Sequence, residues 1–130
     1  MSKVNYTEDG KLSVSLEVSE KTLDDIVGCR RKELWVAASY TSMDKFSDEY
    51  AMPGSDRRVQ DFVTTDGEHW GGRTLKDVGE VRLFVRASSK RLWANVWVKR
   101  ITYEGRRSRY TDGEVRPYII LHLGAVSAHN

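Results

Sequence analysis

EVRLFVRASSKRLWANVWVKRITY, residues 80–103, decides how this chain folds. Val81, Leu83 and Val85 alternate with Arg82, Phe84 and Arg86, and Ala94, Val96 and Val98 alternate with Trp93, Asn95, Trp97 and Lys99. Successive side chains of a strand point to opposite faces, so this period of two predicts two strands. Ser88-Ser89 separates them and reads as a turn. That turn sets Val85 opposite Leu92, Leu83 opposite Ala94 and Val81 opposite Val96. Every one of these pairs is apolar, which makes their side the core. The other side pairs Arg86 with Arg91, Phe84 with Trp93 and Arg82 with Asn95, and continues through Trp97 and Lys99.

Working outward, VRPYIILHL at residues 115–123 predicts a third strand, and Asp112-Gly113 is a strong two-residue hairpin signal. A turn there sets Tyr103 opposite His122, Arg107 opposite Tyr118 and Arg109 opposite Arg116. Ile119, Leu121 and Leu123 then join the core side. A bulge near Gly105 would undo that agreement. Toward the N-terminus, Leu12, Val14, Leu16 and Val18 alternate within Lys11–Val18, a half-buried strand. Thr22 with Asp25 reads as a capping box for a short helix carrying Leu23, Ile26 and Val27, and Arg30, Arg31 and Lys32 suit its C-terminal end. Leu34–Tyr40 predicts a second strand. Met52-Pro53-Gly54 is a break, after which Ser55 caps a helix with Val59, Phe62 and Val63, and Thr65–Arg73 reads as a loop.

The expected fold is therefore α+β, mainly antiparallel sheet. A meander of three C-terminal strands joins two N-terminal strands and one or two short helices. Residues 1–9 read as a flexible tail, 10–126 as a single domain and 127–130 as a C-terminal tail. A chain of 130 residues is large enough for one core. Its polar start lacks the apolar segment of a secretory signal. The one cysteine, Cys29, allows no internal disulfide, which points to a reducing compartment, the cytoplasm.

The net charge of +2 hides an asymmetry. Residues 1–55 hold 7 Lys/Arg against 10 Asp/Glu, whereas residues 81–116 hold 10 against 3. The outer side of the C-terminal strands thus gathers arginines among exposed aromatic rings. Single-stranded nucleic acid needs that mixture, because bases stack on rings while arginines neutralise phosphates. Phe84, Trp93, Trp97, Tyr103 and Tyr118 are the expected stacking residues. Arg82, Arg86, Arg91, Lys99, Arg107, Arg109 and Arg116 are the expected phosphate contacts, with His122 beside them.

The expected function is non-catalytic binding of single-stranded nucleic acid, with no cofactor and no membrane. Three rivals stand beside it. The face docks on a protein, as in a small inhibitor or adaptor. It lines a pocket for a nucleotide or for phosphodiester chemistry at His122. Or Trp93 and Trp97 lie buried beneath residues 41–78, since large aromatics usually belong to cores or interfaces. Asp66, Glu68 and His69 beside Trp70 offer metal or acid–base chemistry, although such glycine-rich segments are usually turns. Cys29 reads as a small buried hydrophobe. No phosphate loop, dinucleotide glycine pattern or nucleophile elbow is present.

Overall fold

The computed structural model describes residues 5–6, 11–49, 57–86, 91–107 and 113–130. Among them the elements run β1 (Asn5–Tyr6), β2 (Leu12–Glu17), α1 (Glu20–Val27), β3 (Glu33–Ala37), α2 (Tyr40–Phe46), β4 (Ser47–Asp48), β5 (Arg58–Val63), β6 (His69–Leu75), β7 (Val78–Phe84), β8 (Trp93–Arg107) and β9 (Val115–His129). The fold is α+β and mainly antiparallel. One sheet has the strand order β1-β2-β7-β8-β9-β3 and another the order β4-β6-β5. Internal contacts divide the chain into two compact units, residues 1–34, 77–100 and 122–130, and residues 35–76 and 101–121.

In the first unit the register read from residues 80–103 is the register of the structure. Val81 pairs with Val96, Arg82 with Asn95, Leu83 with Ala94 and Phe84 with Trp93. The Val85 N–H donates to the Leu92 carbonyl at 3.0 Å and extends the ladder. The turn at Ser88-Ser89 lies outside the described residues. Val81, Leu83, Ala94 and Val96 are all fully buried, as expected of the apolar side. On its other edge β7 pairs with β2, and this pair is parallel, Val14 meeting Val81 and Leu16 meeting Leu83.

Helix α1 starts one turn earlier than expected. Ser19, not Thr22, is the N-cap, its Oγ accepting from the Thr22 N–H at 3.1 Å. Asp25 is not part of a capping box. It instead accepts from Lys21 at 3.3 Å and from Arg30 at 3.1 Å, and the Arg30 hydrogen bond holds its carboxyl below the usual range. The helix closes with a Schellman pattern. The Cys29 N–H donates to Ile26 and the Arg30 N–H to Asp25. The left-handed residue of that pattern is usually glycine, but here Cys29 takes it, at φ 60°. Cys29 is exposed rather than the buried hydrophobe expected.

Both expected tails are partly strand. Asn5–Tyr6 pairs antiparallel with Leu12–Ser13, and β9 continues through His129. The second hairpin differs from the expected register. A turn at Asp112-Gly113 sets Gly105 opposite Ile120 and Trp97 opposite Ala128. In the structure a Cβ on Gly105 would meet Val115 Cγ1 at 2.8 Å, and one on Gly124 would sit 3.5 Å from Trp97 Cβ. The last strand is therefore displaced by several residues along its neighbour. A side chain at position 105 would collide with Val115, so glycine is what permits this register. The expected pairings of Tyr103 with His122 and of Arg107 with Tyr118 go with the discarded one. Asp112 and Arg109 lie outside the described residues.

The second unit holds most of what the sequence concealed. Val59, Phe62 and Val63 belong to a strand, β5, not to a helix capped by Ser55. Ser55 itself lies outside the described residues. The expected loop over Thr65–Arg73 is mostly strand β6, paired with β5 through Phe62–Trp70 and Val59–Arg73. Only Thr65-Asp66-Gly67 turns. The Gly67 N–H donates to the Thr64 carbonyl at 2.9 Å, and Gly67 supplies the positive φ of 86° that a three-residue hairpin loop needs. Helix α2, capped by Ser39, takes over at Tyr40, where the second strand was expected to end, and buries Met43 and Phe46.

Candidate functional site

Arg82, Phe84, Arg86, Arg91 and Trp93 line one depression of about 560 Å³ in the first unit, with Val85, Leu92 and Asn130 completing its walls. The hairpin register places them. Arg82 and Phe84 stand on the outer face of β7, and Trp93 is directly opposite Phe84. The Arg82 guanidinium carbon lies 4.4 Å from the Trp93 ring centre, and that of Arg86 lies 5.7 Å from the Phe84 ring centre. Arg86 also approaches Glu17 at 3.5 Å, a pair open enough to water to contribute little. Both rings are half-buried, and neither belongs to the core.

Arg91 enters the site with its backbone in the left-handed region, at φ 49°. Asn130 holds that backbone in place. Its Nδ2 donates to the Arg91 carbonyl at 2.8 Å and its Oδ1 accepts from the Trp93 N–H at 2.9 Å. One amide thereby braces both ends of the short segment that carries two site residues. Asn130 was read only as part of a tail, since its role depends on where β9 ends.

Trp97 stands four residues along β8 from Trp93, on the same face and about 13 Å away at the usual strand rise. It is 46% exposed. Its partner on β7 is Glu80, an acidic break in the expected basic face. Lys99 is exposed and borders a different, smaller pocket.

The remaining expected residues fall in the second unit or at its limits. Along β8 the alternation slips. Lys99 and Arg100 are both exposed and Ile101 is buried, so odd positions change face. Tyr103 is carried inward by that slip. Its ring meets Phe62 edge-on at 4.7 Å, and its hydroxyl both accepts from the Val63 N–H at 2.8 Å and donates to the Val63 carbonyl at 2.9 Å. Tyr103 therefore secures β5 and offers no free ring for stacking. The slip sits at Lys99-Arg100, five residues before Gly105. Tyr118 packs against Trp35 at 5.4 Å. Arg116 pairs with Glu114 at 3.1 Å, and Arg107 is exposed. His122 belongs to the first unit, where its mostly buried ring lies 3.6 Å from Glu33.

Three further aromatic residues, none of them among the expected stacking residues, carry ring contacts in the structure. Trp35 is 38% exposed and carries Arg106 over its ring, and Tyr40 packs edge-on at 4.9 Å on Trp70, which also holds the Arg73 guanidinium at 4.7 Å. Alternation about Leu34 and Val36 already put Trp35 on the outer side of its strand. Tyr40 and Trp70 had no such signal, because their elements were misassigned.

The Asp66–His69 segment is a hairpin tip. Thr64 donates its hydroxyl to Asp66, which holds that carboxyl below the usual range. His69 instead faces Asp61 at 3.2 Å, and both are exposed. Among the described residues no group of three or more His, Cys, Asp or Glu is placed to hold a metal ion, and no helix is long and apolar enough to cross a membrane. Comparison with protein-family models, curated proteins and solved structures gives no match.

Proposed function

We propose that this protein binds single-stranded nucleic acid without catalysis, through the depression formed by Arg82, Phe84, Arg86, Arg91 and Trp93. One observation carries the reading: three arginines converge on two partly open rings in one concavity of about 560 Å³. That volume lies within the roughly 300–1,000 Å³ range of ligand pockets and suits a nucleotide unit of a strand. Trp97 extends the face, and its spacing from Trp93 leaves room for a nucleotide between two stacked ones. Guanidinium groups on a ring present a flat cationic surface on which a base also stacks, so Arg82 and Arg86 serve both backbone and base. Such a role suits the cytoplasm, where a single exposed cysteine stays reduced.

The test is titration of tryptophan fluorescence with a poly-pyrimidine strand at several salt concentrations. Three phosphates neutralised on a single strand give a slope of log affinity against log salt of about −2. Quenching with that slope supports the reading. Absence of quenching by strands and by mononucleotides, together with salt-insensitive capture of one protein, transfers the face to protein docking.

A further inference from the structure

A second pocket lies in the first unit and shares no lining residue with the ring-lined depression. Ile26 at the end of α1 and Leu123 and Val126 on β9 give it an apolar lining, and Arg31, Lys32 and Lys99 stand around it. The segment that carries Arg31 and Lys32 is tied to β9, where the Leu123 N–H donates to the Lys32 carbonyl at 2.8 Å. Gly124 keeps the space open beside Lys99, whose Cγ lies 3.5 Å from where a Cβ on the glycine would sit.

The charges around this pocket are one-sided. Arg30, the neighbouring cation, is committed to Asp25, but among the described residues no carboxylate pairs with Arg31, Lys32 or Lys99. Like charges gathered about one small space repel, and an anion seated between them replaces repulsion with charge-assisted hydrogen bonds. The volume, about 170 Å³, sets the size of the rest of the ligand. An apolar cavity of about 150 Å³ accommodates benzene, so one ring-sized apolar group fills this one.

We infer that this pocket is a separate binding site for a small amphipathic anion, a compact apolar group bearing one phosphate or carboxylate head. The apolar group enters between Ile26, Leu123 and Val126, and the head rests among Arg31, Lys32 and Lys99. Cys29 also borders the pocket, and as the chain's single cysteine it reports occupancy without being required for it.

The experiment measures alkylation of Cys29 by iodoacetamide in the full chain, with phenyl phosphate as probe. At a probe concentration ten times its Kd, alkylation slows about tenfold, the factor that mass action gives for a shielded thiol. Inorganic phosphate at equal ionic strength and benzyl alcohol each leave the rate nearly unchanged. Lys99→Glu removes the slowing by reversing one rim charge, and Gly124→Leu removes it by filling the space. Arg31→Glu also removes the slowing but leaves quenching by the poly-pyrimidine strand intact, which separates this site from the ring-lined depression. No slowing by phenyl phosphate, equal slowing by inorganic phosphate, or full slowing in the Lys99→Glu chain each overturns the inference.

Discussion

Arg82 stacks on Trp93 although the residue directly opposite it on β8 is Asn95. The contact is a diagonal one. It covers one face of the Trp93 ring. A base on that face either displaces the guanidinium or stacks on top of it. Arg82→Ala separates these roles. We expect the salt slope to fall by about 0.7, the contribution of one phosphate on a single strand, while quenching by the poly-pyrimidine strand persists. Trp93→Ala should lose about 1–3 kcal/mol of binding, one stacked base. Isothermal titration of parent and variants over the same series of salt concentrations measures both, and an unchanged affinity in Trp93→Ala sinks the stacking role.

Arg91 allows fold and binding to be separated at one position. Its φ of 49° favours glycine, so Arg91→Gly relaxes the backbone while deleting a cation from the depression. Thermal unfolding should show a melting temperature equal to or above the parent's, with weaker oligonucleotide binding. A mutant that binds as tightly as the parent leaves Arg91 an ordinary solvated charge.

Cys29 occupies the left-handed position at the end of α1, a conformation costing a non-glycine residue about 1–2 kcal/mol. Cys29→Gly should stabilise the chain by about 1 kcal/mol, once the extra entropy of unfolded glycine is set against the relief. Denaturant titration gives the value, and destabilisation by the glycine would contradict the strain.

Leu83 and Leu121 are both fully buried. Truncating either to alanine should cost about 2–5 kcal/mol, depending on how far its surroundings collapse. Chemical denaturation of each single mutant is the measurement, and a loss below 1 kcal/mol would be too small for a core leucine.

Tyr103→Phe tests the inward placement of that ring. Removing the hydroxyl strands the Val63 N–H and carbonyl, which costs about 1–3 kcal/mol if both stay dry. Oligonucleotide affinity should not change. If binding weakens while stability holds, Tyr103 returns to the list of ligand contacts.

How much of this was legible in the sequence follows from how local each determinant is. The pairing of Val81 with Val96 and of Phe84 with Trp93 could be read directly, because alternation and a short turn fix a register between neighbouring strands. From it came Arg82, Phe84, Arg86, Arg91 and Trp93 as one cluster. Asn130 could not be foreseen, since its amide acts on residues far away in sequence. The second hairpin failed for a different reason. Asp112-Gly113 is a strong turn signal, but close approach of Val115 to Gly105 and the slip at Lys99-Arg100 belong to tertiary packing. Strand β6 was hidden by Gly71 and Gly72, which lack β propensity, and the pairing of Gly71 with Asp61 depends on β5 being beside it.

The parallel pairing of β2 with β7 also bears on how the chain is made. Leu12 pairs with Val78, so the earlier strand waits for one synthesised sixty-six positions later. At roughly 5–20 residues per second, that interval is about 3–13 s. Throughout it Leu12, Val14 and Leu16 have an unpaired edge on the nascent chain, beside which β1 supplies only Asn5 and Tyr6. Synthesis of this protein thus includes a window of several seconds in which the edge of β2 that later meets β7 has no strand to pair with. A ribosome-stalled chain ending at Lys76 should be cleaved within residues 11–18 by protease, and one long enough to expose Phe84 outside the ribosomal tunnel should resist.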